Sequence, residues 1–501
     1  MPKLDTIKAS FLSGWNHIDA LLDTGPGWNW LTPSRTVLYY SFSVTEGTDP
    51  KSNGVSGALT AFNIMQKNAV REILNTLNQI TGITFSEVAN GTKADLHFAN
   101  ANITNANNAG LTQWTFNYSY DPSQTIVSYV AQAYVYVDNA ESGDRYAAPA
   151  AGNYAYELLM HEIGHAMGLK HPFEGSVTLP AEEDNTDYTL MSYQQTNLHS
   201  VYGPDDIAAL KWLYGGDGLG GNLGVGSQGK YFYATEKNDA VQATAGNDVI
   251  DGQGGNDTVN FGSNRASYKI NLGSAIGGGM TVVGKEGTDA LLNIERLHFT
   301  DMTVNLQVQA VASSISAIEL MRLEELYVAF FNRVPDADGL QYWINDLKGG
   351  RSLMQIAESF YGAGIAFSAL TGYTKDMTNE AFVNVIYKNV LGRVDGADPE
   401  GLQYWTNALS SGVDNHGSLV LKILYSAHTF KGDSQYGWVA DLLDNKVTVA
   451  HAFAVKAGLN YNSDNDSIAK GMQIAALVTP TDTSAALSLI GISPDQYNLS
   501  T

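Results

Sequence analysis

The chain has 501 residues, with 51 Asp and Glu against 28 Lys and Arg, a formal charge of −23 and no cysteine. The acidic balance excludes a basic nucleic-acid footprint, and the missing cysteines exclude a disulfide framework. No apolar run is long enough to span a membrane, and the opening MPKLDTIKASFLSGW lacks the apolar core of a secretory signal, so export by the general secretory route is not expected.

In chain order, TVLYYSF (Thr36 to Phe42), ITFSEV (from Ile83) and ADLHFAN (from Ala94) read as strands, because β-branched and aromatic residues dominate them. Between them, Ala58 to Leu77 has helical periodicity, with Ile64, Val70, Ile73 and Leu77 expected inward. QAYVYVDN, from Gln132 to Asn139, alternates as a strand should. Then comes HEIGHAMGLKH, His161 to His171. In a helix His161 and His165 leave one face a turn apart, while Leu159, Ile163, Ala166 and Met167 seat the opposite face on a core. Gly168 permits the left-handed turn that lets His171 swing back as a third ligand. Three nitrogens and an open fourth position are what a catalytic zinc needs, and Glu162 is placed to take a proton from water there.

YTLMSY (Tyr188 to Tyr193) follows, and with the histidine helix it resembles the metzincin metallopeptidases, specifically the secreted serralysins. The resemblance implies a methionine turn at Met191 under the metal. It also implies Tyr193 as a further zinc ligand that swings away to hydrogen-bond the oxyanion. It implies as well that the strand matching Gln132 to Asn139 is the sheet edge on which substrate pairs, and that GPDDIAALKWLYG (from Gly203) closes the catalytic domain.

From Ala234 to Asn260 the chain falls into nine-residue lines, ATEKNDAVQ, ATAGNDVID and GQGGNDTVN, each with Asn-Asp followed two residues on by Val241, Ile250 or Val259. This is the nonapeptide β-roll pattern, in which aspartates and glycine turns bind calcium. It resembles the RTX repeats behind serralysin catalytic domains. One or two calcium sites are expected, using Asp248, Asp257 and carbonyls around Gly246, Gly252 and Gly254. Proteins with such repeats leave the cell unfolded through a type I exporter and fold outside, where calcium favours the folded state.

Past Ser313 the chain turns helical and carries an internal repeat, LYVAFFNRVPDADGLQYW from Leu326 and IYKNVLGRVDGADPEGLQYW from Ile386. It resembles the helical domain called DUF4214. Tyr342, Trp343, Tyr404 and Trp405 are expected in core packing rather than on a ligand. The acidic loops at Asp336 to Gly339 and Asp395 to Asp398 lack an EF-hand ligand set and read as turns. The remaining histidines, His17, His97, His199, His298, His416, His428 and His451, are assigned structural or surface roles. A serralysin would carry its export signal at the extreme C-terminus, and ISPDQYNLST does not match the usual ending.

The fold expected is multidomain α+β: a metzincin catalytic domain over 1–222, a short parallel β-roll/β-sandwich over 223–312 and an all-α domain over 313–501. The expected function is a secreted zinc endopeptidase acting on proteins or peptides, with zinc and calcium as its ions and no nucleic-acid partner. The helical segment would dock to a cell surface or a protein partner. The competing expectation is a non-catalytic surface or adhesion protein on a metzincin-like scaffold. A zinc amidase or sugar-active enzyme leaves the Met191–Tyr193 turn unexplained.

Overall fold

The computed structural model describes residues 2–8, 11–23, 25, 27–48, 53–140, 143–275 and 278–491. The chain divides into two compact units, one of residues 1–236 with 244–253 and 286–290, the other of 237–243, 254–285 and 291–501. The nonapeptide lines are thus apportioned between the units.

The first unit is built on a six-stranded sheet: β1 (Val37–Ser41), β2 (Val55–Thr60), β3 (Thr84–Glu87), β4 (Leu96–Ile103), β5 (Gly110–Tyr120) and β6 (Ile126–Asp138). The order is β3-β1-β4-β6-β5, with β2 antiparallel on the end of β4. β1, β3, β4 and β6 run parallel and β5 antiparallel to β6. β6 is therefore an interior strand, and the edge is β5. This corrects the expectation for Gln132 to Asn139, and the burial explains it, because Tyr134 to Val137 are covered on both faces.

The helix expected from Ala58 begins only at Ile64 and runs to Thr81. The preceding residues up to Thr60 belong to β2, and Asn63 caps the helix with Gln66 in a reciprocal capping box. Val70, Ile73 and Leu77 are buried as the periodicity requires, but Ile64 is exposed.

Helix Tyr154–Ala166 is capped by Asn153, whose side chain accepts from Tyr156 N at 2.9 Å. Its buried face carries Leu159, Ile163 and Ala166, each worth roughly 1–3 kcal/mol of apolar burial, the alanine least. Gly168, at φ +96°, turns the chain out of it. The N-terminal segment wraps the end of this helix. Trp28 is fully buried and its Nε1 donates to Ala166 O at 2.9 Å, while Lys170 N donates to Leu21 O. Farther along, helix Pro204–Tyr214 follows the methionine turn, and strand Tyr231–Tyr233 pairs in parallel with Val249–Asp251, Phe232 facing Ile250.

In the second unit, strand Ala240–Gln242 pairs in parallel with Thr258–Asn260, Val241 facing Val259. Each pairing joins residues eighteen apart, two nine-residue lines, so successive lines supply strands to two sheets in alternation. Arg296–His298, Met302–Asn305 and Leu459–Tyr461 extend this second sheet. The last of these comes from the helical segment and pairs antiparallel with Met302–Asn305. The helices pack around the buried Ala317–Phe331, whose Leu323, Leu326 and Phe330 meet Phe360, Phe382 and Ile423. Among the described residues no helix is long and apolar enough to cross a membrane.

Candidate metal centre

Helix Tyr154–Ala166 presents His161 and His165 on one face, and the turn at Gly168 returns His171 to meet them. The three Nε2 atoms form a nearly equilateral triangle: 3.2 Å from His161 to His165, 3.1 Å from His165 to His171 and 3.3 Å from His171 to His161. Two of the outer nitrogens have a carbonyl acceptor. His161 Nδ1 lies 2.7 Å from Leu190 O and His165 Nδ1 lies 2.8 Å from Leu169 O. His171 Nδ1 sits 2.9 Å from Glu174 Oε1, off the axis of a straight hydrogen bond. The carbonyls put the ring protons of His161 and His165 on Nδ1, and the three Nε2 atoms converge on one point. Nitrogens at zinc distance in tetrahedral geometry stand about 3.3 Å apart, so the donor set fits that ion. Among the described residues this is the one group of three or more His, Asp or Glu side chains close enough to share a metal. Burial pushes the His161 pKa down to about 4 and that of His165 well below its usual value, which keeps both rings neutral and able to bind.

Glu162 is buried on the same turn, and its Oε2 lies 2.7 Å from Thr112 Oγ1, which also reaches Glu162 O at 2.8 Å. Burial raises its pKa to about 7, and the Thr112 bond opposes the rise. Thr112 lies on β5, as does Gly110, where an added Cβ would stand 2.5 Å from Glu162 Oε1. A side chain there would displace the carboxylate. Neither residue carries a motif, and both escaped the sequence reading.

Met191 is fully buried beneath the helix, and an added Cβ on Gly164 would meet its Sδ at 2.8 Å. Asp206, buried at the start of helix Pro204–Tyr214, holds this turn. It accepts from Thr189 Oγ1 at 2.6 Å, Leu190 N at 2.8 Å and Gly203 N at 2.9 Å. Because Leu190 O in turn receives His161 Nδ1, Asp206 orients a histidine at one remove. Its sequence signal was only an acid after Gly-Pro at a helix start. Tyr193 is exposed along the cleft, its ring 4.6 Å from that of His171 and 6.1 Å from that of His161. Partial desolvation, then the Glu162 carboxylate, raises its pKa, so the phenol stays protonated. The cleft holds about 620 Å³ and is lined by Gly110, Thr112, Trp114, Tyr154, Tyr193 and Gln195 beside the histidines.

The calcium residues expected from the lines are placed differently. Asp248 is buried, and its carboxylate accepts from Lys230 N at 2.8 Å, Thr244 N at 2.6 Å and Thr244 Oγ1 at 2.8 Å. Asp257 is buried and accepts from Asp239 N at 2.8 Å. Gly246, Asp248 and Gly252 fall in the first unit, Gly254 and Asp257 in the second. The Lys230 ammonium bonds Gly224 O at 2.9 Å and Ser227 O.

The family described as Matrixin matches residues 59–215, the RTX calcium-binding nonapeptide repeat matches 233–265, and the domain of unknown function DUF4214 matches 366–431. Metalloprotease AprA of Pseudomonas entomophila (strain L48) is 28% identical over 217 residues, covering 39% of this chain and 42% of its own. Serralysin of Proteus mirabilis is 30% identical over 215 residues, covering 36% and 41%. Serralysin B of Dickeya chrysanthemi is 31% identical over 196 residues, covering 36% and 38%. The matches thus span about two fifths of the length of these relatives. The Matrixin match implies zinc and the RTX repeats imply calcium, and together with the serralysin relatives the repeats suggest secretion. A non-catalytic surface protein is not favoured by these matches. The chain is a serralysin-like metzincin joined to RTX repeats and a DUF4214 segment.

Proposed function

We propose that the chain is a secreted zinc endopeptidase that hydrolyses internal peptide bonds of protein substrates, with 1–222 as catalytic domain, 223–312 as calcium-stabilised roll and 313–501 as docking module. The observation that carries the reading is the triangle of Nε2 atoms, 3.1–3.3 Å on a side, beside a buried carboxylate.

His161, His165 and His171 would hold the ion. When bound, zinc supplies Lewis acidity at that point. Thr112 fixes one oxygen of Glu162, and the other faces the attacking water, takes its proton and passes it to the departing amine. A carboxyl pKa near 7 suits both halves of that transfer. The Tyr193 phenol donates to the carbonyl oxygen as charge develops on it. The open edge of β5 pairs with the extended substrate main chain, which asks little of its sequence.

Calcium would be held by Asp248 and Asp257 with carbonyls around Gly246, Gly252 and Gly254, favouring the folded state after export by a type I route. The C-terminal decapeptide, which does not match the usual serralysin ending, lies outside the described residues. The helical half would dock to a surface or protein partner.

Glu162→Gln is the test. Casein cleavage should fall by about 10³-fold, while zinc content by atomic absorption stays at that of the unaltered protein. Cleavage at the original rate would overturn the assignment.

A further inference from the structure

The two DUF4214-like repeats align residue for residue from Arg333 and Arg393, except for two extra residues in the second loop. They share one internal construction. Asp336 and Asp398 cap their helices by accepting from Gly339 N at 2.7 Å and Gly401 N at 2.9 Å. Arg333 and Arg393 pair with those aspartates and lie over the rings of Tyr327 and Tyr387. Trp343 and Trp405 pack partly buried against the core, each edge-on to an exposed tyrosine, Tyr342 or Tyr404. The tyrosines thus depart from the core role expected of them. They stand at the outer rim because the helix i to i+1 step turns them off the buried face.

What differs is what covers the repeats. In the first, Asp338 makes a bidentate ion pair with Arg296, 2.8 and 2.9 Å, and Asn305 Nδ2 donates to Asp338 at 2.7 Å and to Gln341 Oε1 at 2.8 Å. Asp338 N donates to Asn460 Oδ1 at 2.8 Å, and Val334 N to Gly471 O at 3.2 Å. Three adjacent strands therefore present Arg296, Asn305 and Asn460 to one helix start. In the second repeat the same positions are Val394, Glu400 and Gln403, and all three are exposed. Val334 is 2% exposed and Val394 77%.

We propose that the Val394–Glu400–Gln403–Tyr404 face of the second repeat is a docking surface for an extended, arginine-bearing strand of a partner protein. The occupant is argued from the first repeat, where Asp338 takes Arg296 from one strand and Gln341 takes Asn305 from the strand beside it. Charge argues the same way, since Glu400 stands where Asp338 pairs with Arg296 and the whole chain carries −23. Exposed apolar side chains rimmed by polar ones are the usual composition of such surfaces. The inference deepens the docking role proposed for the helical half and is independent of peptide hydrolysis.

The probe is a backbone-cyclised hairpin of residues 294–306, which carries both Arg296 and Asn305. It is titrated by calorimetry into the full chain bearing Glu162→Gln, so that it is not cut. Saturable binding should be kept by Glu400→Asp and weakened about tenfold or more by Glu400→Arg, by Gln403→Ala with Val394→Ser, and by Arg296→Ala in the hairpin alone. All the altered protein residues are exposed, and unchanged circular dichroism and melting will show that the fold is kept. Absence of saturable binding to the parent and Glu400→Asp chains would overturn the proposal. Binding that persists in Glu400→Arg would also overturn this face while keeping a docking role for the helical half.

Discussion

The histidine cluster and the nonapeptide lines hold their candidate metal donors in opposite ways. At the cluster the outer nitrogens of His161 and His165 are tied to backbone carbonyls, and the three inner Nε2 atoms converge on one another with no donor of the chain between them. In the lines the Asp248 carboxylate already accepts two backbone N–H groups and a hydroxyl. The first arrangement is organised for an ion in advance. The second is a turn already capped by its own carboxylate, and calcium held there as proposed would share those oxygens with the cap.

That contrast is open to attack at several points. The largest expected effect is at His165. His165→Ala should remove zinc and all measurable casein cleavage, while in EDTA it should cost only about 1–2 kcal/mol, since the one structural hydrogen bond it loses is Nδ1 to Leu169 O. A large loss of stability without metal would break the idea that the cluster is organised for binding alone. Asp248→Ala should behave in the reverse sense. It leaves two half-buried N–H groups without their acceptor and should cost on the order of 1–3 kcal/mol in urea unfolding even with EDTA present. Equal stability of the two proteins under those conditions would mean that the carboxylate does not act as a cap.

Within the cleft the effects are smaller. Tyr193→Phe should lower kcat by about 10²-fold with KM little changed, as expected of a donor that acts on developing charge. Gly110→Ala should lower kcat/KM by about tenfold through displacement of Glu162, and zinc content should be unaltered. The smallest effect is a pH dependence. Burial raises the Asp206 pKa to about 6 from 3.8, so its folding term is fully present below about pH 4 and lost as pH rises through 6. The advantage in melting temperature of the parent over Asp206→Asn should therefore shrink between pH 4 and pH 6.5. A constant difference would count against a charged, buried Asp206.

The histidine spacing was legible because a helix and one glycine turn fix where three side chains go. The nine-residue lines were legible because their strands pair at two lines' offset, which makes the repeat visible in one dimension. The sheet edge was not. GLTQWTFNYSY mixes threonine, asparagine and serine with aromatics because no residue of β5 is buried, whereas QAYVYVDN is more apolar because it is interior. Reading the more apolar run as the substrate strand therefore selected the neighbour of the edge. Asp206 and Gly110 were illegible for a different reason. Each acts on a residue more than fifteen positions away, and only the folded chain brings them together.

Strand Leu459–Tyr461 completes a sheet whose neighbour, Met302–Asn305, ends more than 150 residues earlier. Loop closure over that distance is slow, and until it occurs Met302–Asn305 keeps an unpaired backbone edge that other chains can join. A shortened chain ending near residue 312 would carry that edge permanently and should self-associate. The helical half is in this sense the chain's own shield against aggregation, whatever else it binds.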